Sequence, residues 1–232
     1  MYLYLFGIES LRMYDLIGVA GYAILIAFYI FHRNAYFVPI PTETKPNSSH
    51  WPLVLLLTVQ VVAYTFAGER IGPLVGRSTE FFGYVTISAV GMVLTALVLG
   101  FSPLRWLDRT VPLYLTLAAT LKMSCFCGGC CYGQPWAYGW FNHRNGQTEF
   151  PIQLVESMAY VLLLFLLRRY RGREGQRFAL FLAGYAAVRF VVQFFRADVA
   201  VFTPFHWMSA VFFGIGAVMW VVCRALELRT DR

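Results

Sequence analysis

Polar and ionisable residues recur inside long apolar runs of this chain, at spacings that bring them onto one helix face. In the run FLAGYAAVRFVVQFFRAD (181–198), Arg189 lies four residues after Tyr185 and four residues before Gln193. Arg196 follows seven residues after Arg189, so a continuous helix would present all four on about the same side. Guanidinium groups form bidentate hydrogen bonds with phosphate oxygens. This arginine stripe (Tyr185, Arg189, Gln193 and Arg196) therefore predicts a phosphate clamp.

Two other apolar runs carry polar residues that could complete the same site. Lys122 is a third cation, and Gln153 and Glu156 lie three residues apart, on one face of a predicted helix that follows Pro151. Ionisable groups inside a membrane span are costly and usually face a cavity or a partner. One interpretation is a polar cavity shared by Lys122, Glu156 and the arginine stripe. The alternative is a set of structural ion pairs, for which the available acids are Glu156, Glu69 and Asp198.

The segment LKMSCFCGGCCYG (121–133) contains four cysteines in the pattern C-x-C-x-x-C-C. Zinc sites usually combine two separated pairs of ligands, and no second pair accompanies this one. The adjacent Cys130 and Cys131 could pair with each other only with strain. We favour a packing role for these small residues beside Gly128 and Gly129, and expect no metal and no cofactor. A disulfide and a soft-metal or redox site remain the alternatives.

Composition identifies the solvent in which these residues act. The chain has 232 residues, of which 59% are hydrophobic and 13% are charged, and its mean hydropathy is +0.59. A soluble domain carries about 25% charged residues. We therefore predict an all-α integral membrane protein that forms one domain over 1–232. Seven apolar runs approach the length of a transmembrane helix: 13–31, 51–67, 82–101, 111–129, 152–167, 178–196 and 205–225.

Basic residues predict the orientation of these spans. The formal net charge is +7, and lysine and arginine concentrate in the loops that would be cytoplasmic if the N-terminus lies outside. The largest group falls within 168–177, between the fifth and sixth spans. We therefore attribute the positive charge to the membrane orientation of the protein, and we expect no nucleic-acid partner. No cleavable signal peptide is evident at the N-terminus.

Several short motifs, in order along most of the chain, resemble those of the bacterial prolipoprotein diacylglyceryl transferases. LRMYDLIGVAGY resembles the family's opening motif and keeps Arg12 and Tyr14, and GERIG (68–72) resembles Gly-Ala-Arg-Leu-Gly. LKMSCFCGGCCYG resembles the family signature, with Lys122 at its arginine and Gly133 at its closing glycine. FPIQLVES resembles His-Pro-x-Gln-Leu-Tyr-Glu, and HWMS (206–209) resembles Gln-Trp-Leu-Ser. The longest similar stretch is FLAGYAAVRFVVQFFRAD.

The resemblance implies a seven-span enzyme of the bacterial cytoplasmic membrane. Such enzymes move a diacylglyceryl group from phosphatidylglycerol to the cysteine thiol of a prolipoprotein signal peptide and release glycerol phosphate. The lipid and the signal peptide are the implied partners. The implied catalytic residues are Arg189, Lys122, Tyr185 and Tyr14. The implied substrate-binding residues are Arg196, Arg70, Gln153, Glu156, Gly133 and Gln193.

Three positions depart from the family pattern. Val90 stands where the family carries a histidine associated with thiol activation, Lys122 replaces the signature arginine, and Phe150 replaces the histidine before Pro151. His143 or His206 could substitute as a base, although we favour ordinary interfacial roles for both. Two alternatives to the transferase follow. One is a non-catalytic relative that binds lipid or a partner, and the other is a thiol or metal protein centred on residues 125–131.

Overall fold

The computed structural model describes residues 2–3, 8–12, 20, 23, 58, 80–98, 102–142, 145–197 and 202–230, and this part of the chain is mostly helical. Its strands are β1 (Tyr2–Leu3), β2 (Ile8–Arg12), β3 (Pro135–Asn142) and β4 (Gln147–Glu149). Its helices are α1 (Glu80–Val98), α2 (Pro103–Cys127), α3 (Ile152–Arg169), α4 (Gln176–Gln193) and α5 (Pro204–Thr230). The predicted spans 13–31 and 51–67, apart from residues 20, 23 and 58, lie outside the described residues, as do the predicted site residues Tyr14 and Arg70.

Each of the last five predicted spans coincides with a helix. The third corresponds to α1, and the fourth, predicted over 111–129, begins earlier, at Pro103. Spans five, six and seven match α3, α4 and α5 to within a few residues at their N-terminal ends. Apolar run length therefore locates these helices well, and polar residues near the ends account for most of the differences. The total of seven spans and the orientation stay predictions.

The chain divides into two compact units, Phe28–Thr110 and Met1–Ala27 with Val111–Arg232. The described part of the first unit contains α1 and the beginning of α2. In the second unit, β1 pairs with β2 in an antiparallel manner, and α4 packs against both α3 and α5. A Cβ added to Gly216 of α5 would lie 2.7 Å from the carbonyl oxygen of Ala179, so this glycine lets α4 and α5 approach closely. The organisation as one domain stays a prediction.

Two of the helices, Pro103–Cys127 and the Pro204–Leu226 portion of α5, are long and apolar enough to cross a membrane. The second of these buries only 17% of its most apolar window within the protein. Its exposed apolar side chains include Val211, Phe213, Ile215, Val218 and Val221. Meanwhile Glu156, Arg189 and Gln193 are buried. Apolar residues outside and charged residues inside are what a lipid solvent favours.

A β-hairpin occupies most of the segment 132–150, which connects α2 to α3. Strand β3 pairs in an antiparallel manner with β4, with Phe141 opposite Thr148 and Asn142 opposite Gln147. The turn contains Asn145-Gly146, and Gly146 has φ +70°. Asn-Gly is a strong signal for a hairpin turn because both residues tolerate the left-handed backbone conformation.

Candidate functional site

The carboxylate of Glu156 lies at the centre of a buried charge cluster formed by three helices. One carboxylate oxygen accepts hydrogen bonds from the guanidinium of Arg189 on α4 and from the hydroxyl of Tyr160, the latter at 3.2 Å. The other oxygen lies 2.7 Å from Nζ of Lys122 on α2. Arg189 also donates to the side-chain oxygen of Gln193 at 3.4 Å. We call Lys122, Glu156 and Arg189 the charge cluster.

The charge cluster is removed from solvent. Glu156 is fully buried, Arg189 is 3% exposed and the side chain of Lys122 is 16% exposed. The ring of Tyr160, whose hydroxyl donates to Glu156, stacks on that of Tyr185 with centroids 5.1 Å apart. Two cations face one carboxylate, so the cluster carries a formal charge of +1. A buried site with one excess positive charge suits an anionic group such as a phosphate.

The loop that follows α2 is fastened to the end of α4 by backbone hydrogen bonds. Gly133 forms an antiparallel bridge with Arg196, and the backbone N–H of Gln134 donates to the carbonyl of Phe195 at 2.9 Å. A Cβ on Gly133 would lie 2.3 Å from the carbonyl oxygen of Phe150, so this position requires glycine. Arg196 is buried at this junction, with 4% of its surface exposed.

The sulfur atoms of Cys125, Cys130 and Cys131 all lie within 4.8 Å of one another, and we call these residues the thiol cluster. Helix α2 ends at Cys127, and the turn that follows has positive φ at Gly129 (58°) and at Cys131 (56°). This reversal brings the loop thiols back over the last turn of the helix. All five cysteines of the chain lie in the described part, and none forms a disulfide there. Hydrogen bonds with the Cys125 and Cys130 thiols, aided by the positive charges of Lys122 and Arg196, lower the pKa of Cys131.

The thiol cluster and the charge cluster are neighbours. Lys122 lies three residues before Cys125 on α2, and Gln153 lies three residues before Glu156 on α3, so each pair shares a helix face. The side-chain amide of Gln153 donates to the carbonyl oxygen of Cys130 at 2.8 Å. Helix α2 therefore carries a member of each cluster, and α3 carries Glu156 and holds the loop of the thiol cluster through Gln153. The two clusters lie about one helical turn (~5.4 Å) apart along these helices.

The structure brings together most of the predicted site residues that it describes. Lys122, Glu156, Arg189, Gln193 and Tyr185 meet as expected from their spacing. Glu156 forms ion pairs with both cations. One detail of the arginine stripe was wrong: α4 ends at Gln193, so Arg196 lies in the following turn rather than on the helix.

The structure describes Val90, which stands at the position of the family histidine, and His206, which was considered as a substitute base. Val90 lies on α1 with 54% of its surface exposed. His206 is buried at the start of α5, where its ring packs on that of Phe194 with centroids 4.4 Å apart. The backbone N–H of Thr203 donates to Nδ1 of His206 at 3.1 Å, so in the neutral ring the proton is on Nε2. His143 lies outside the described residues.

Sequence reasoning missed four polar contacts that support the site. Tyr160 reaches Glu156 from the next turn of α3, and the hydroxyl of Ser157 donates to the carbonyl of Ala119 at 3.0 Å, joining α3 to α2. In the hairpin, Asn142 donates to both Glu149 and the carbonyl of Gly129. The i+4 spacing of Tyr160 from Glu156 was a usable signal. The contacts of Ser157 with Ala119 and of Asn142 with Gly129 join residues 38 and 13 positions apart, and no local pattern indicates them.

Two comparisons with known proteins find similar sequences. Residues 78–222, well over half of the chain, match the family model for prolipoprotein diacylglyceryl transferase. The chain is also 27% identical over 134 residues to the phosphatidylglycerol–prolipoprotein diacylglyceryl transferase of Clostridium tetani (strain Massachusetts / E88). That alignment covers 53% of each protein, so the match spans about half the length of this curated relative. Because the family model matches more than half of the chain, the chain belongs to the prolipoprotein diacylglyceryl transferase family.

Proposed function

We propose that this protein transfers a diacylglyceryl group from phosphatidylglycerol to the cysteine thiol of a prolipoprotein signal peptide. The proposal is supported by the family match and by the name of the relative from Clostridium tetani. The observation that carries it is the buried Lys122–Glu156–Arg189 cluster, in which two cations share one carboxylate.

The reaction makes specific demands on such a cluster. The acceptor thiol loses its proton to solvent, and its sulfur attacks the glyceryl carbon bonded to the phosphate oxygen, so that a C–S bond forms and the C–O bond breaks. The electron pair leaves with glycerol phosphate, so negative charge grows on the phosphate oxygens. Preorganised cations in a site with little water stabilise that charge in the transition state. Glu156 would hold the guanidinium of Arg189 and the ammonium of Lys122 in place for this purpose.

The remaining predicted residues would orient the lipid and the loop around it. Tyr185 and Gln193 flank Arg189 on α4, and Arg196 adds a cation at the junction with Gly133. Gln153 fixes the loop through the carbonyl of Cys130. Tyr14 and Arg70 are proposed substrate contacts on the strength of the family resemblance.

The proposed setting is the bacterial cytoplasmic membrane. Proteins of this family are membrane proteins, and two helices of this chain are long and apolar enough to cross a bilayer. We propose one domain with seven spans, the N-terminus outside and the C-terminus in the cytoplasm. The thiol substrate would then approach from the outer side, at the end of α2 where the loop begins.

The purified protein in vesicles of phosphatidylglycerol should convert a lipobox peptide to its diacylglyceryl thioether, detected by mass spectrometry. Arg189→Ala should reduce the initial rate by at least about 100-fold, as removal of one transition-state donor does elsewhere. Arg168→Gln, which changes an exposed arginine at the end of α3, is the matched control and should retain the rate. Full activity of Arg189→Ala would disprove the role of the charge cluster.

Growth of a strain depleted of its own diacylglyceryl transferase provides a second test. Rescue by this chain would establish the reaction on natural prolipoproteins. Phospholipid that co-purifies with the protein but is not consumed, together with a failure to rescue, would instead favour a non-catalytic lipid-binding relative.

A further inference from the structure

The thiol cluster has dimensions close to those of a metal site. With Zn–S bonds of about 2.3 Å, sulfur ligands lie roughly 3.8–4.0 Å apart in trigonal or tetrahedral geometry. The three sulfur atoms already lie within 4.8 Å of one another. Small side-chain rotations would therefore bring them into ligand positions, without rearrangement of α2 or of the loop.

The backbone around the cluster is arranged to point three thiols at one place. Cys131 adopts φ 56°, a conformation that non-glycine residues rarely take and that persists only where the surroundings impose it. The backbone N–H of Cys130 donates to the carbonyl of Cys125 at 3.1 Å, which closes the turn. Asn142 in turn donates to the carbonyl of Gly129 at 3.2 Å. The turn over residues 128–131 is thus held by a hydrogen bond to the end of α2 and by a hydrogen bond from the hairpin.

The ligand set indicates which ion fits and how many positions it leaves open. Thiolates select soft or borderline metals, above all Zn²⁺ and Cu⁺. Within the described residues, no histidine or carboxylate joins the three cysteines. Three protein ligands with one open position is the pattern of catalytic rather than structural zinc. Three thiolates carry a net charge of −1 with Zn²⁺ and of −2 with Cu⁺. Because Lys122 is already paired with Glu156, Arg196 supplies one positive charge beside Cys131, which balances the charge of the zinc site but not that of a copper site.

We infer that Cys125, Cys130 and Cys131 bind one Zn²⁺ ion whose fourth position accepts the thiol of the acceptor cysteine. The metal-binding part stands on the thiol cluster alone, whereas the role of the acceptor rests on the proposed transfer reaction. The position beside the charge cluster, about one helical turn away, would bring the zinc-bound sulfur next to the lipid phosphate. Such a site would supply thiol activation in a chain whose sequence has Val90 where the family carries a histidine.

The step balances without an oxidant or reductant. The acceptor thiol binds Zn²⁺ and releases its proton to solvent, because a coordinated thiol is deprotonated outright. The zinc-bound sulfur attacks the glyceryl carbon, the C–S bond forms, and the C–O bond breaks toward glycerol phosphate. The product is a neutral thioether, a weaker ligand than a thiolate, and its departure reopens the fourth position.

Metal binding can be tested without activity. The reduced full-length protein in detergent, stripped with a chelator and titrated with Zn²⁺, should bind about one ion per chain. Titration with Co²⁺ should give a thiolate-to-cobalt charge-transfer band. Cys125→Ser and Cys131→Ser should each lower the affinity by more than about 100-fold, since even outer-shell changes cost 10–100-fold. Cys127→Ser and Cys223→Ser, outside the cluster, should bind normally and serve as matched controls.

The outcomes separate this inference from the proposed function. Each serine variant is first checked for a monodisperse elution profile, and Cys130→His, which keeps a ligand, should retain zinc if the serine variants misfold. Metal-free protein with three reduced thiols, or a disulfide within the cluster after reduction and gentle reoxidation, would overturn the site. If the protein binds zinc but transfers no lipid, the metal site is supported and the proposed function is contradicted. Undiminished lipid transfer by zinc-free protein would overturn the role in thiol activation.

Discussion

Glu156 of α3 and Arg189 of α4 form an ion pair that is almost wholly withdrawn from solvent, with 0% and 3% of their surfaces exposed. A buried ion pair is strongly destabilised when one partner is removed, because the other charge remains in a medium that cannot solvate it. Here the carboxylate serves two cations, since Nζ of Lys122 lies 2.7 Å from its second oxygen. We therefore expect removal of Glu156 to destabilise the fold, and we propose that Glu156 positions the phosphate ligands.

Replacement of Glu156 by glutamine should be the most damaging conservative change in the site. The amide leaves both Lys122 and Arg189 without a counter-charge, so we expect the free energy of unfolding in detergent to fall by about 3–5 kcal/mol. Chemical unfolding followed by circular dichroism measures this loss. The double variant Glu156→Gln/Lys122→Met removes one of the stranded cations and should recover part of the stability. A loss below about 0.5 kcal/mol would contradict the role assigned to Glu156.

Gly133→Ala tests the junction between the loop and α4. An added Cβ would meet the carbonyl oxygen of Phe150 at 2.3 Å, and the backbone of Gly133 is held by its bridge to Arg196. We expect a destabilisation of about 1–3 kcal/mol, as for other overpacked positions, and a lower rate of lipid transfer. Gly214→Ala is the matched control, because nothing lies within 4 Å of its Cβ position in α5. That change should stabilise the helix by about 0.5–1 kcal/mol, and equal effects of the two changes would refute the steric argument.

Asn142→Ala tests the connection between the hairpin and the thiol cluster. Its side-chain amide donates to Glu149 at 2.7 Å and to the carbonyl of Gly129 at 3.2 Å, and the residue is buried. Loss of both bonds should cost about 1–3 kcal/mol, because the acceptors stay buried and are left with fewer donors. The thermal midpoint should fall and zinc affinity should weaken together. Gln147→Ala, an exposed change on β4, should alter neither quantity, and an Asn142→Ala protein with unchanged zinc affinity would show that the hairpin does not support the thiols.

The helices and the charge cluster could be predicted from the sequence because membrane physics makes both conspicuous. Apolar runs of the required length locate α1 to α5, and any charged residue inside them is costly unless it meets a partner. The i+4 spacing around Arg189 and the i+3 spacing of Gln153 and Glu156 then identify which face of α4 and which face of α3 point toward the site. The prediction for Arg196 failed because run length does not report where a helix ends, and α4 stops at Gln193.

The thiol cluster and the hairpin were harder to predict for a different reason. The pattern C-x-C-x-x-C-C does not say which sulfurs meet, since this depends on the left-handed turn at Gly129 and Cys131. That turn removes Cys127 from the group and includes Cys131. The hairpin had a local signal in Asn145-Gly146, but the prediction of an all-α protein did not make use of this signal. Long-range contacts such as Asn142 with Gly129 follow only from the assembled fold.

Arginine substitutions along α5 test whether this helix crosses a membrane. Val218 lies near the middle of the helix with 64% of its surface exposed, and Trp207 lies near its start with 67% exposed. An arginine at the centre of a span costs about 2.5–3.5 kcal/mol on insertion scales, whereas long cationic side chains near an end reach the interface. Val218→Arg should therefore reduce membrane insertion strongly and Trp207→Arg only weakly, as measured by glycosylation mapping of the isolated segment. Equal insertion of both variants would contradict a transmembrane α5 with Val218 near the centre of the span.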